Sequence, residues 1–371
     1  MDPASARDPL RGLRQVLDEH GVQHAPLTVP SETLLRMYRE MRRMKLLDER
    51  MLARQRQGKV GFYGPVTGQE AVPVAVGLAL EARDWVFPAL RENAVMLTRG
   101  FPLATWIAQI YGSSRDVQKG RQMPSHQSGR AVNQVSWSSC IGPQLPHAVG
   151  AAWAAKLRGD DVITVGFLGD GATSQADFHV AMNFAGVFKT PCILLCQNNH
   201  WSISVPTARQ SASETLAIKA RAYGVRGERV DGNDVIAVYE AVREAAERAR
   251  TQHEPTFIEA VTYRIGAHSS SDDPTRYRAE SEVEAWKRRD PLLRLTRYLE
   301  TARVLSAALI ESIDRELDTE IREAIERVER DPPPALPTLF DDVFRTLPWH
   351  LREQREESMN GPRPAGGHGA H

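Results

Sequence analysis

The run VITVGFL, Val162 to Leu168, is apolar almost throughout, as in a strand buried on both faces. It breaks at Gly169-Asp170-Gly171, after which Phe178, Ala181, Met182, Ala185 and Phe188 recur at the spacing of one helical face. Thr190-Pro191 ends that helix, and a second apolar run, Cys192 to Cys196, leads into Asn198-Asn199. Strand, helix and strand in this order form a crossover between parallel neighbours, so both polar junctions fall at one edge of the sheet. Ligands of open parallel sheets bind beyond the carboxyl ends of the strands, which is where Asp170 and Asn199 lie.

A carboxylate and an amide oxygen are hard donors that suit magnesium or calcium. Two protein oxygens leave magnesium under-coordinated, and it completes its shell with water and phosphate oxygens. Gly169 and Gly171 put no side chain in the way of a diphosphate, and the helix that follows offers free amides and the positive end of its dipole. Two other readings compete. Asp-Gly and Asn-Asn pairs also form turns without any ligand. A dinucleotide-binding turn needs a third glycine where Ser174 stands, and no acid ends the second strand.

GDG, twenty-six residues and NN together resemble the thiamine diphosphate motif of the transketolase-like superfamily. The resemblance runs from about Phe62 to Tyr277 and is closest to alpha subunits of the decarboxylating component of 2-oxo acid dehydrogenase complexes. It is carried by GQEAVPVAVG from Gly68, KGRQMP from Lys119, SSCIGPQLPHAVGAAWA from Ser138, RVDGNDVIAVYEAV from Arg229 and YRIGAHSSSDDPTRYR from Tyr263. It implies an α/β fold, a parallel sheet with helices on both faces, that binds thiamine diphosphate.

The resemblance also implies site residues. Asp170 and Asn199 would hold magnesium through their side chains and Trp201 through its backbone carbonyl. Gly169, Asp170, Gly171, Ala172 and Asn199 would line the diphosphate, and Arg91 would grip it with a planar fork of donors. Ser139 would touch the cofactor, and Ile141 would prop it in a bent conformation. His268 would contact the cofactor and donate a proton during decarboxylation, for which a pKa near neutrality would suit; read alone, it is a surface histidine. Arg264 and Asp272 would hold its loop by an ion pair. Ser269 stands where mitochondrial relatives are phosphorylated, and charge added there would repel the diphosphate. Ser138 and Gln144 match a potassium site in which Pro143 replaces the usual threonine. Leu90 stands where the family has a tyrosine. Gln197, Asn198 and His200 read as supporting residues.

Thiamine chemistry also needs a carboxylate on the aminopyrimidine, which single-chain relatives carry on a second domain that this length does not accommodate. The expected partner is therefore a beta subunit, in an alpha-two-beta-two heterotetramer that feeds a lipoyl-bearing acyltransferase. KGRQMP resembles the branched-chain members, so branched-chain 2-oxo acids are the expected substrates. A pyruvate or acetoin dehydrogenase, and a cofactor-holding or regulatory subunit without turnover, are the alternatives.

Lys plus Arg and Asp plus Glu both number 47, so no net field favours nucleic acid or an anionic membrane. Cys140, Cys192 and Cys196 lack CxxC spacing and read as reduced core thiols. MDPASARDPLRG carries acids and no h-region, from which a bacterial, cytoplasmic protein is expected. Residues 1–30 read as an extended arm. Residues 31–345 read as one ligand-binding domain, opening with a helix capped by Ser31 and running to about Gln57. That domain includes an add-on helix over 306–330 with Leu309, Ile313, Leu317, Ile321 and Ile325 on one face. Residues 346–371 read as tail, His368 and His371 included.

Overall fold

The computed structural model describes residues 12–362. In chain order the helices are α1 (Ser31–Arg56), α2 (Ala71–Ala79), α3 (Asn93–Thr98), α4 (Leu103–Tyr111), α5 (Gln144–Arg158), α6 (Ala176–Phe188), α7 (Val235–Gln252), α8 (Glu280–Lys287), α9 (Pro291–Thr301), α10 (Ala307–Glu329) and α11 (Trp349–Asn360). The strands are β1 (Trp85–Phe87), β2 (Thr164–Gly169), β3 (Cys192–Asn198), β4 (Trp201–Ser202), β5 (Val205–Pro206), β6 (Arg226–Asp231) and β7 (Thr256–Val261). Five strands form a parallel sheet in the order β1-β2-β3-β7-β6, while β4 and β5 make a separate antiparallel pair. Among the described residues no helix is long and apolar enough to cross a membrane.

Both faces of the sheet are covered, and the pleat decides what each face receives. Val165, Phe167, Ile193, Leu195, Ile258 and Ala260 join the core made with α1, α2, α4, α7 and α10. Their neighbours Leu168, Leu194, Cys196 and Phe257 turn the other way, against α5 and α6. Each fully buried side chain of this size stabilises the fold by roughly 1.5–3 kcal/mol. β7 carries a charge, Glu259, on this buried sheet; it accepts from Asn198 Nδ2 at 2.8 Å, Ala217 N at 2.9 Å and Arg229 Nε at 3.2 Å. The open edge of β6 is met by the N-terminal arm, where Arg14 N donates to Arg229 O and Asp231 N to Arg14 O.

Parallel strands align their carboxyl ends, so the segments that follow them gather at one place. Arg91 follows β1, Asp170 follows β2, Asn199 follows β3, and Arg264 and His268 follow β7.

Several expectations change in detail. Ser31 is the first helical residue of α1; the cap position is Pro30 and has no side-chain bond. The 307–329 helix is no add-on: Ile313, Leu317, Ile321 and Ile325 are buried in the main core, while Leu309 remains exposed. Ser306 caps it by accepting from Leu309 N. The segment read as tail contains α11, none of whose residues is buried. His368 and His371 lie outside the described residues.

Candidate cofactor site

The turn after β2 is tighter than a helix start. Residues Asp170–Ser174 form a 3₁₀ segment, and α6 begins only at Ala176, so the amides nearest Asp170 belong to that segment rather than to the long helix. The two glycines differ in what they permit. A Cβ on Gly171 would come within 2.7 Å of Ser202 Cβ, which closes that position to any side chain, whereas a Cβ on Gly169 would meet nothing. Gly171 is thus fixed by its contact with Ser202 of β4.

Gly169, Asp170, Gly171, Ala172, Asn199 and Trp201 line one cavity of about 480 Å³ together with Arg91, Ser139, Ile141, Arg264 and His268. Burial pushes the Asp170 carboxyl up to about 6, although Thr207 Oγ1 (2.9 Å) and Gln210 Nε2 (3.3 Å) donate to its Oδ2. Asn199 donates through Nδ2 to Gln69 Oε1 at 2.9 Å and accepts at Oδ1 from Trp201 N at 3.1 Å. Trp201 O accepts from Arg264 Nη1 at 3.2 Å.

Arg91 is buried and forks between two segments, donating to Pro65 O and, at 2.6 Å, to His268 O. Burial, reinforced by the nearby charge of Arg264, lowers it to about 10. The turn that presents it is capped by Glu92, whose Oε2 accepts from Ala89 N at 2.8 Å and Arg91 N at 3.1 Å.

His268 is held through its backbone, donating to Asp272 Oδ2 at 2.7 Å. Its ring sits between cations: Nδ1 lies 3.4 Å from Arg91 Nη2 and 3.5 Å from Arg264 Nη1. Burial first, then these two charges, lower its pKa to about 4, so the expectation of a value near neutrality is corrected in this state. Guanidinium groups only donate, which makes Nδ1 the acceptor and places the proton of the neutral ring on Nε2. The expected Arg264–Asp272 ion pair is also replaced. Arg264 Nη2 donates to Tyr277 OH at 3.1 Å, and Tyr277 OH donates to Asp272 Oδ2 at 2.5 Å, so a tyrosine relays the contact.

Ser139 Oγ bonds His126 Nε2, and His126 packs against Trp137 with ring centroids 3.7 Å apart and the planes tilted by 39°. Ile141 is 60% exposed, so it is not a core side chain. Of the three free cysteines, Cys192 and Cys196 are buried as expected, but Cys140 is exposed at the cavity wall. Gln144 Nε2 donates to Phe167 O at 2.8 Å, and Ser138 Oγ accepts from Cys140 N at 3.3 Å. Sequence reasoning did not single out Gln69, Glu92, His126, Thr207 or Gln210, because each bonds a partner on this cavity or its wall that lies 13 to 130 residues away in the chain. Gln69 alone carried a signal, as a member of GQEAVPVAVG.

The lining can hold more than it now does. Gln69 Nε2, Gln197 Oε1 and Arg264 Nε are buried polar atoms on this cavity with no hydrogen-bond partner. Among the described residues no group of three or more His, Cys, Asp or Glu side chains is set to hold a metal unaided. Two arginines, the buried Asp170 carboxyl and the neighbouring Asn199 amide therefore suit an anion that brings its own oxygens to a hard cation, while the second buried carboxyl, Glu92, is taken up by Ala89 N, Arg91 N and Gln197 Nε2.

The class this geometry defines is a parallel-sheet α/β protein with a pocket, lined by two arginines, beyond its strand ends. The chain belongs to the dehydrogenase E1 component family, whose model matches residues 38–336, and that family uses thiamine diphosphate. It is 40% identical over 344 residues to "2-oxoisovalerate dehydrogenase subunit alpha 2, mitochondrial" of Arabidopsis thaliana, covering 92% of this chain and 73% of that protein. The human protein "2-oxoisovalerate dehydrogenase subunit alpha, mitochondrial" is 39% identical over 329 residues, 88% of this chain and 74% of its own. The protein of that name from Dictyostelium discoideum is 38% identical over 347 residues, 92% and 79% respectively. These mitochondrial relatives overturn the expectation of a bacterial, cytoplasmic protein. Compartment is set by receptor-read addresses, and composition does not encode them.

Proposed function

We propose that this chain is the alpha subunit of a branched-chain 2-oxo acid dehydrogenase, active with a beta subunit and passing its acyl group to a lipoyl-bearing acyltransferase. The observation that carries the reading is the meeting of Asp170, Asn199, Arg91 and His268 from four strand ends on one cavity. Asp170, Asn199 and the Trp201 carbonyl would hold magnesium, and Arg91 the diphosphate. Ser139 and the exposed Ile141 would support the rings. When bound, thiamine diphosphate supplies the carbanion chemistry and electron sink that decarboxylation requires. Around it Phe62, Leu90 and Met123 give the wall an apolar surface, which favours a branched aliphatic side chain over a methyl group by about 1–3 kcal/mol per methylene. The neutral His268 ring, with its proton on Nε2, is a hydrogen-bond donor at the cavity wall, and it would donate a proton once its pKa is raised so that the ring is protonated. A potassium ion at Ser138 and Gln144 would lack the hydroxyl of the usual threonine, because Pro143 stands there, and Gln144, whose Nε2 donates to Phe167 O, would offer only its Oε1.

The test is turnover by the assembled alpha–beta complex on 2-oxoisovalerate and on pyruvate, with thiamine diphosphate binding measured alongside. Preference for 2-oxoisovalerate, lost in His268→Ala with cofactor binding kept, supports the reading. Preference for pyruvate would move it to a pyruvate dehydrogenase, and binding without turnover on either acid would make the chain a cofactor-holding subunit.

A further inference from the structure

The resemblance reads KGRQMP as a marker of substrate class, yet the charged side chains of that motif reach away from the cavity. Lys119 Nζ pairs with Asp342. Arg121 donates through Nε to Thr338 O at 2.8 Å and through Nη2 to Asp341 O and Asp342 Oδ1, both at 2.7 Å. Of the motif, only Met123 lines the cavity. The partners all belong to the C-terminal arm that follows α10. This arm has two further anchors on the same loop: Arg115 meets Asp331 with both forks, at 2.7 and 2.9 Å, and Ser114 N donates to Pro332 O at 2.9 Å.

The loop between is built as a tight turn. Lys119 and Gly120 both have positive φ, 54° and 70°. Asp116 closes the turn by accepting from Gln118 N and Gly120 N, each at 2.8 Å. A Cβ on Gly120 would stand 3.1 Å from Pro334 Cγ, so the arm lies directly on this glycine. Beyond Met123 the chain enters the site itself. Ser125 Oγ donates to Phe62 O at 2.9 Å, His126 Nε2 bonds Ser139 Oγ, and Gln118 Nε2 donates back to His126 O at 2.6 Å. The arm and the cavity wall thus grip opposite sides of one loop.

We infer that Lys119 and Arg121 are positioning residues: they clasp the C-terminal arm, residues 331–342, and so hold Met123 and His126 in the wall that receives the 2-oxo acid. This rests on the reading of the cavity as a 2-oxo acid site. The clasp acts on the substrate wall and leaves Arg91, Asp170 and Asn199, which stand on other segments, in place. A surface pair alone is worth little, but Arg121 has three acceptors and two of them are backbone carbonyls, so the arm's path is fixed as well as its charge.

The experiment uses the assembled alpha–beta complex with Arg121→Ala, Lys119→Asp and the conservative Lys119→Arg. The first two variants should raise KM for 2-oxoisovalerate about three- to ten-fold, with kcat and thiamine diphosphate affinity within about two-fold of wild type. Lys119→Arg, which keeps a cation for Asp342 beside Arg121, should leave KM near wild type. Amide exchange over residues 119–128 should quicken in Arg121→Ala and Lys119→Asp and stay slow in Lys119→Arg. Unchanged KM and exchange in the first two variants, or an equal loss of kcat, KM and cofactor affinity, overturns the clasp. If the wild type turns over no 2-oxo acid, the functional reading fails, and amide exchange alone still decides whether the clasp holds the loop.

Discussion

Replacing Asp170 by asparagine should move the free and the ligand-bound protein in opposite directions. The carboxyl is 2% exposed and burial raises it to about 6 from an ordinary 3.8. Folding therefore works against its ionisation: the cost is absent below the unfolded value, grows as pH rises through the window from 3.8 to about 6, and is complete above it. Two pH units of displacement correspond to ~3 kcal/mol at pH 7. The replacement amide would keep an acceptor oxygen for Thr207 and Gln210 and carry no charge. The expected result is a ligand-free complex stabilised by up to that amount, or about 4 °C for a chain of this length. The gain should shrink to nothing toward pH 4. With magnesium and thiamine diphosphate at a hundred times the dissociation constant, wild type should gain ~2.7 kcal/mol, and Asp170→Asn should gain almost none. Thermal unfolding of both proteins at pH 7 and pH 4.5, with and without ligand, gives all eight midpoints. A variant less stable than wild type without ligand at pH 7, or one that keeps the ligand-induced shift, would refute the assignment of Asp170 as a buried carboxylate reserved for a cation.

His268 gives a pH dependence of the opposite sign. Its pKa is lowered to about 4, so its contribution to stability is present above the unfolded value of 6.5 and is lost as pH falls from there toward 4. His268→Gln should flatten the fall in unfolding midpoint across that window, and an unchanged slope would mean that the ring is not held between Arg91 and Arg264. His200 occupies a left-handed position, φ 68°, with its ring against Tyr263 and Trp286 at centroid distances of 6.3 and 5.4 Å. His200→Gly relieves strain of about 1 kcal/mol but removes a half-buried ring packed against two aromatics, so a net loss of ~1–3 kcal/mol is expected. A more stable glycine variant by denaturant titration would show that backbone strain outweighs the packing.

What the sequence made legible here is local chemistry with a fixed chain spacing. Asp170 and Asn199 could be placed at one sheet edge because each ends a strand, and parallel neighbours must run the same way. The apolar stripe of α10 likewise located its buried face at Ile313, Leu317, Ile321 and Ile325. The same pattern could not say that this face packs into the main core, because burial depends on α1 and α4, which lie far earlier in the chain. Nor does an apolar strand announce which residues face which layer; Phe167 and Leu168 are both fully buried, yet they belong to different cores.

Polar loops are harder for a related reason. A loop side chain is chosen for a partner that the sequence does not bring near, and several partners satisfy the same residue equally well. Asp272 was matched to Arg264 because opposite charges attract, but the loop folds so that Tyr277 stands between them and serves both. That substitution has a chemical consequence. With Asp272 spent on the His268 amide and the tyrosine hydroxyl, neither carboxylate oxygen is shown against the imidazole, while two guanidinium groups are. Burial first, and the two guanidinium groups after it, keep the ring neutral. Under the proposed function, a diphosphate that compensated the charge of Arg91 would raise the His268 pKa from about 4, which the role proposed for it as a proton donor requires.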